Sequence, residues 1–188
     1  ECARTVSVDA FIGIPQAHVV RLLNPSAMPG LKQVITVGRK WFWGGVTLKE
    51  LADGASERVE PCHTTTNDQA AILFTSGSTG PAKGVAYEHG TFEAQINAIR
   101  EYYHIQPGEI DLPGFAPFAL FSVAMGMTTV IPDMDPSRPA KVNPQRIVRA
   151  IQDHQVTNSF GSPAIWSRVS AYCLSRNIKL PSLRRVLM

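Results

Sequence analysis

The chain has 188 residues, 44% hydrophobic and 18% charged, a globular balance rather than a disordered one. Its net charge of +3, with no Lys/Arg run and no aromatic ladder, argues against a nucleic-acid partner. No apolar stretch approaches the roughly 18 residues of a membrane span, and no charged start with an apolar core marks a signal peptide. Cys2, Cys62 and Cys173 are far apart and odd in number, which fits a reduced, cytosolic setting better than a disulfide framework. The length suits one ordinary domain with a real core. The chain begins at Glu1 and stops at Met188 inside the apolar run LRRVLM, so the pattern suggests an excerpt of a larger protein, with a genuinely short protein as the alternative.

DAFIGIP (9–15) is predicted as a buried strand, AHVVRLL (17–23) as a short helix and KQVITVG (32–38) as a strand, with NPSAMPG a loop between the last two. Thr47 and Glu50 stand at capping-box spacing, ready to start a helical turn through TLKELAD. Residues 54–69 are polar and broken, a surface connection. QAAILFTS (69–76) is an apolar run ending in hydroxyls, a buried strand leading into a loop, and GVAYEH (84–89) reads as the return strand. TFEAQINAIREYY (91–103) carries Phe92, Ile96, Ile99 and Tyr103 at helical spacing, and Pro107-Gly108 stops it. IDLPGF is a strand or extended segment, PFALFSVAMG a short buried helix, TTVIP (128–132) a strand and DMDPSRPA a proline-rich loop. Asn143 is placed to cap a helix with Pro144 first and Ile147 and Ile151 on one face. VTNSF (156–160) is a strand. Ser162 is expected to cap the next helix, again with proline first, Asn177 to end it, and LRRVLM to form the last strand. This order predicts an α/β fold with a right-handed parallel layer and flanking helices.

The loop FTSGSTGPAKG (74–84) holds three glycines, four hydroxyl side chains and one lysine within eleven positions. A Walker loop needs GxxxxGK[ST] followed by a helix. Here Gly84 follows Lys83 and a strand comes next, so that class is disfavoured, and no GxGxxG occurs for a dinucleotide fold. Phosphate still suits the chemistry. Glycines let backbone N–H groups approach an anion, Thr75, Ser76, Ser78 and Thr79 add donors without bulk, and Lys83 adds a full charge. At an effective dielectric near 20, a unit pair ~4 Å apart is worth about 4 kcal/mol, enough for an ordered lysine to matter in a leaving pyrophosphate. The plainer alternative is a glycine-serine surface turn with an incidental lysine.

The segment IxxTSGSTGxxK, Ile72 to Lys83, resembles position by position the AMP-binding signature of the acyl-adenylate-forming enzymes: acyl-CoA synthetases, luciferases and the adenylation domains of peptide synthetases. One detail departs, since Pro81 and Ala82 stand in swapped order before Lys83-Gly84. LPGFAPFALF (112–121) is similar to the family segment after the phosphate loop, with Ala119 where many acyl-CoA synthetases have histidine. GSPAIWSRV (161–169) and LPSLRRVLM (180–188) resemble segments leading toward the adenine site. FALF, MTTVIPDMDPSRPA and FGSPA look closest to the olefin β-lactone synthetases, bacterial members acting on long-chain β-hydroxy acids.

The resemblance implies part of a large N-terminal AMP-binding domain, of layered parallel and mixed sheets with flanking helices, over residues 1–188. It implies a two-step reaction: a carboxylate attacks the α-phosphate of ATP to give acyl-AMP and pyrophosphate, and then coenzyme A, or in the β-lactone synthetases the substrate's own β-hydroxyl, displaces AMP. By carry-over Thr75, Ser76, Gly77, Ser78, Thr79 and Gly80, with Gly84 closing the loop, cradle the β- and γ-phosphates, and Lys83 is the catalytic cation. Mg²⁺ is expected with ATP, its carboxylate ligand downstream of this stretch. The adenine motif, ribose aspartate, hinge and small C-terminal domain are missing, so these residues alone are expected to be inactive. The setting implied is cytoplasmic, with small-molecule substrates and possible assembly with other hydrocarbon-biosynthesis enzymes. The rivals are a fatty acyl-CoA ligase and a non-catalytic nucleotide-binding relative.

Phe115, Phe118, Phe121, Met125 and Met127 could line an acyl tunnel, though such a stripe is more often core. Family position singles out Phe118, Ala119 and Phe121, and adds Gly161, Ser162 and Pro163 as a pocket edge, although helix capping also explains Ser162. Asp133 and Asp135 sit in a proline-rich segment that reads as a solvated turn. Cys62-His63 with Asp68 is too sparse for zinc. His89 and His104 read as surface or packing residues, and His154 as a helix C-terminal one.

Overall fold

The computed structural model describes residues 2–55, 60–75 and 82–188. It falls into two compact units, Glu1–Gly90 and Thr91–Met188. In the first, β1 (Ala10–Gly13), β2 (Gln33–Thr36) and β3 (Val46–Thr47) form a parallel sheet in that order. Between the first two strands runs α1 (Pro15–Leu23), with proline in its first turn, where the missing N–H costs nothing. The predicted strands are present, but DAFIGIP is not buried. Ile12 is more than half exposed because side chains of β1 alternate between faces and it lies on the uncovered one, and Ile14, at the start of α1, is more than half exposed too. Gly45 has φ +87°, and a Cβ there would lie 2.1 Å from the Val34 carbonyl oxygen, so only glycine admits the chain beside β2. The buried centre is polar-aromatic. The His18 ring stacks on Trp43 (centroids 5.0 Å apart), and Trp43 Nε1 donates to Thr36 Oγ1 at 2.9 Å. His18 Nε2 lies 3.1 and 3.2 Å from the carbonyls of Gly13 and Ile35, so two acceptors place the ring proton on Nε2.

The capping box at α2 (Leu48–Gly54) forms as expected. Glu50 N donates to Thr47 Oγ1 at 3.1 Å, and Thr47 N donates to Glu50 Oε2 at 2.6 Å. β4 (Gln69–Thr75) and β5 (Lys83–Glu88) form an antiparallel pair, in register at Thr75↔Lys83. QAAILFTS was expected to be buried, yet Leu73 and Val85 are exposed. Among the described residues these two strands pair only with each other, and a two-stranded ribbon has no further layer to cover it.

The second unit carries α3 (His89–Tyr102), β6 (Ile110–Asp111), α4 (Ala119–Ala124), β7 (Thr128–Thr129), α5 (Pro144–Asp153), β8 (Asn158–Phe160), α6 (Pro163–Arg176) and β9 (Arg185–Leu187). Its four strands are parallel in the order β7-β6-β8-β9, as the alternation of strands and helices requires. Ile147, Val148 and Ile151 of α5 pack with Leu112, Val156, Ile165, Trp166 and Val169 in one core. A smaller cluster joins Ile105, Met125 and Met127 to Ile96 and Ile99 of α3. Asn143 caps α5, accepting from Gln145 N at 3.0 Å, and Asn177 ends α6 in the left-handed region at φ 52°.

Two expectations fail here for local reasons. Ser162 stands at the N-cap of α6, but its side chain makes no cap bond. Its backbone carbonyl accepts from Ile165 N and Trp166 N, as that of Asn143 does from Arg146 N and Ile147 N, yet the hydroxyl is left buried and unpartnered among the described residues. PFALFSVAMG folds as a 3₁₀ turn and then α4, and it is not a buried apolar helix. Leu120 is 76% exposed and Val123 63%, while Ser122 is 3% exposed. The polar residue is turned inward because it meets a buried carboxylate.

Candidate active site

β4 ends at Thr75 and β5 begins at Lys83, so the hairpin register brings the two ends of the glycine-hydroxyl loop side by side. The Thr75 hydroxyl donates to the Lys83 carbonyl at 3.4 Å, and Lys83 is exposed. Gly84 faces Phe74 across the ladder, where a Cβ would press on Ile72 Cγ2 at 3.0 Å and Phe74 Cε1 at 3.1 Å. Ser76, Gly77, Ser78, Thr79 and Gly80 lie outside the described residues.

In the second unit, Phe118, Gly161 and Ser162 come together on an open cavity of about 320 Å³, with Gly114, Phe115 and Phe160 as further walls. The Phe118 ring stacks on Phe160 at 4.0 Å between centroids and on Phe121 at 5.6 Å. At Gly161 a Cβ would stand 2.8 Å from Trp166 Nε1, an indole N–H that is itself buried without a partner among the described residues. Ala119 is half-buried, Pro163 is exposed, and neither lines this wall.

Phe118 also borders a second cavity, of about 220 Å³, with Phe121, Met125 and Met127. Its polar wall was not anticipated: Asp111, Ser122 and Asn158, from β6, α4 and β8, each at most 4% exposed. Ser122 Oγ donates to Asp111 Oδ2 at 2.5 Å, and Asn158 Nδ2 donates to Asp111 Oδ1 at 2.6 Å. Burial pushes the Asp111 carboxyl above its ordinary pKa, against the pull of the Ser122, Asn158 and Leu112 N–H donors. The only sequence signal was a charge inside the apolar run Ile110–Pro113.

Beside it, Glu109 is ion-paired with Arg185 and accepts from Gln106 N and the Thr157 hydroxyl. Burial alone would raise its pKa, but these donors and the Arg185 charge together hold it below the ordinary value. Asp133 and Asp135 are exposed and engaged with Arg146, Arg138 and Ser137. Among the described residues no three His, Cys, Asp or Glu side chains gather as metal ligands, and no helix is long and apolar enough to cross a membrane.

The class of protein is given by the sequence as a whole: residues 8–188 match the AMP-binding enzyme family. The chain belongs to that family. It is 47% identical over 173 residues to the olefin beta-lactone synthetase of Xanthomonas campestris pv. campestris, covering 92% of this chain and 31% of that protein. It is 47% identical over 188 residues to the olefin beta-lactone synthetase of Stenotrophomonas maltophilia, covering 99% and 33%. The chain thus spans about a third of the length of these relatives. Its fold is similar to that of an anthranilate CoA ligase in complex with anthranoyl-AMP (TM-score 0.79, 14% identity, 98% of this chain and 36% of that one). It is also similar to a long-chain-fatty-acid CoA ligase-like protein of Rhodopseudomonas palustris (TM-score 0.74, 15% identity, 95% and 44%).

Proposed function

We propose that these residues form part of the N-terminal AMP-binding domain of a cytoplasmic, ATP-dependent acyl-activating enzyme. It would adenylate a long-chain β-hydroxy fatty acid and then close the acyl-AMP to a β-lactone. The observation that carries this reading is the 47% identity, over nearly the whole chain, to two proteins named olefin beta-lactone synthetase. The residues suit the first step. Thr75 and Lys83 flank the loop that takes the β- and γ-phosphates, and Lys83 offsets the charge of the departing pyrophosphate. Ser76, Gly77, Ser78, Thr79, Gly80 and Gly84 belong to the same cradle. Mg²⁺ would arrive with the ATP phosphates, and among the described residues no cluster of three His, Cys, Asp or Glu side chains gathers for it.

The acyl group belongs with the apolar walls at Phe118 and Phe121, the Gly161 and Ser162 edge supplying its mouth, and Ala119 and Pro163 stand next to these residues in the chain. In the second step the β-hydroxyl oxygen attacks the acyl carbon, the bond to the AMP phosphate breaks, and the hydroxyl proton is lost. A tethered nucleophile gains effective concentration and needs no second substrate site. The test is product analysis on the complete gene product with ATP, Mg²⁺ and a 3-hydroxy fatty acid. AMP, pyrophosphate and β-lactone without coenzyme A are expected. An acyl-CoA that requires coenzyme A makes it a fatty acyl-CoA ligase instead. Absence of acid-dependent pyrophosphate release makes it a non-catalytic nucleotide-binding relative.

A further inference from the structure

We propose that the Asp111 carboxyl group, fixed by Ser122 and Asn158 in the wall of the smaller cavity, accepts a hydrogen bond from a hydroxyl on the acyl chain and sets the preference for hydroxylated over unsubstituted acids. This rests on the acyl-activating reading above and assigns the residue that would select its substrate. Asp111 is 1% exposed. Burying a carboxylate there is costly, and an apolar side chain would close the sheet at less expense in free energy. The two side-chain donors hold the group in one orientation without neutralising it, and among the described residues no cation is ion-paired with it. A carboxyl group has more lone-pair sites than these two donors occupy, so acceptor capacity remains.

The rest of the cavity fixes what kind of donor can come. Phe118, Phe121, Met125 and Met127 are its apolar walls, so the guest is a hydrocarbon segment with one polar substituent. A dry cavity of about 150 Å³ admits benzene. The 220 Å³ here therefore takes a short stretch of chain around the hydroxyl, not a whole fatty acid. Phe118 lines both this cavity and the larger one, and its carbonyl lies 3.2 Å from Ser122 Oγ. The hydroxyl of Ser122 thus sits between the carboxylate, to which it donates, and the turn that borders both spaces.

The experiment compares kcat/KM in ATP–pyrophosphate exchange for a 3-hydroxy fatty acid and the unsubstituted acid of equal length. The complete wild-type protein is set against Asp111→Asn. In the variant the amide nitrogen cannot accept, and the one remaining acceptor, the amide oxygen, is uncharged and already bonded by Asn158. A site built to bond a hydroxyl loses discrimination when its charged acceptor goes, so the wild-type preference should fall by roughly 10- to 100-fold toward parity. Equal losses on both acids, leaving the ratio intact, would make Asp111 a purely structural tie and overturn the proposal.

Binding is read separately, as the shift in melting temperature produced by each acid without ATP. A larger wild-type shift with the hydroxy acid that vanishes in Asp111→Asn upholds the assignment even when no exchange is seen, and only the adenylation reading then fails. No difference between the acids in the wild-type protein overturns it. If Asp111→Asn does not fold, Ser122→Ala keeps the carboxylate but frees its orientation, and the preference should drop by about 3- to 10-fold. An unchanged ratio in that variant also refutes the proposal.

Discussion

Replacing Ser122 with alanine should destabilise the protein, although the side chain lost is small and sits in a helix that reads as apolar. Ser122 Oγ donates at 2.5 Å to a carboxylate that is 1% exposed. Hydrogen bonds to charged groups are worth about 1.5–3 kcal/mol, so the expected loss at neutral pH is about 2 kcal/mol. The pH dependence has a definite sign. The folded-state pKa of Asp111 is raised, so its contribution is most favourable below the ordinary carboxylate value and is lost as pH rises through the folded value. Removing a donor that favours the charged form raises that pKa further, so the penalty of Ser122→Ala grows as pH rises through the folded value. The assay is urea unfolding at several pH values, with unchanged m confirming that only stability moved. Leu120→Ala on the same helix is the control. At 76% exposed it should cost less than about 0.5 kcal/mol. A penalty for Ser122→Ala below that figure, or flat with pH, or matched by Leu120→Ala, would refute the inverted burial of α4.

Lys83→Ala in the complete protein should slow acyl-AMP formation by roughly 10- to 1,000-fold, read by ATP–pyrophosphate exchange, and an unchanged rate would remove the lysine from pyrophosphate stabilisation. Gly161→Ala sets a methyl 2.8 Å from Trp166 Nε1 and should cost about 1–3 kcal/mol of unfolding free energy by overpacking. Arg185→Met strips Glu109 of its ion-pair partner and should cost about 3 kcal/mol, at the low end for a buried pair because Arg185 stays 20% exposed. The Glu109 pKa is depressed, so the wild-type advantage over this variant is present above the ordinary carboxylate value and fades as pH falls through the folded value. An advantage that grew in acid would reverse the assignment.

What could be read from the sequence was local. Proline one place after Asn143 or Ser162 marks a helix start whatever the tertiary context, and Thr47 with Glu50 carries a complete cap within four residues. The parallel layer followed from the order of such elements. The Asp111 cluster was hidden because Asn158 reaches Asp111 from 47 residues away, and no periodicity links them. Ser162 shows another limit. Composition identifies a capping residue type, but only the structure shows that the Ser162 side chain makes no cap bond and that its hydroxyl is buried without a partner among the described residues. The AMP-binding signature was legible because its twelve positions are contiguous, whereas the cavity walls come from the 3₁₀ turn before α4, from α4, from β8 and from the turn after it.

Glu109 and Asp111 stand two residues apart at the start of one short strand, and their environments set them against each other. Glu109 has a guanidinium, a backbone N–H and a hydroxyl, and its pKa is lowered. Asp111 has only neutral donors, and its pKa is raised. A carboxylate kept for architecture gains most from a counter-charge, because the paired state repays its desolvation. A carboxylate kept for a ligand must retain acceptor capacity and face space, and Asp111 does both, since it borders a cavity while Glu109 does not line it. The unequal treatment of two neighbouring acids within one polar cluster is therefore better explained by a binding role for Asp111 than by stability, which a second cation or an apolar residue would serve better.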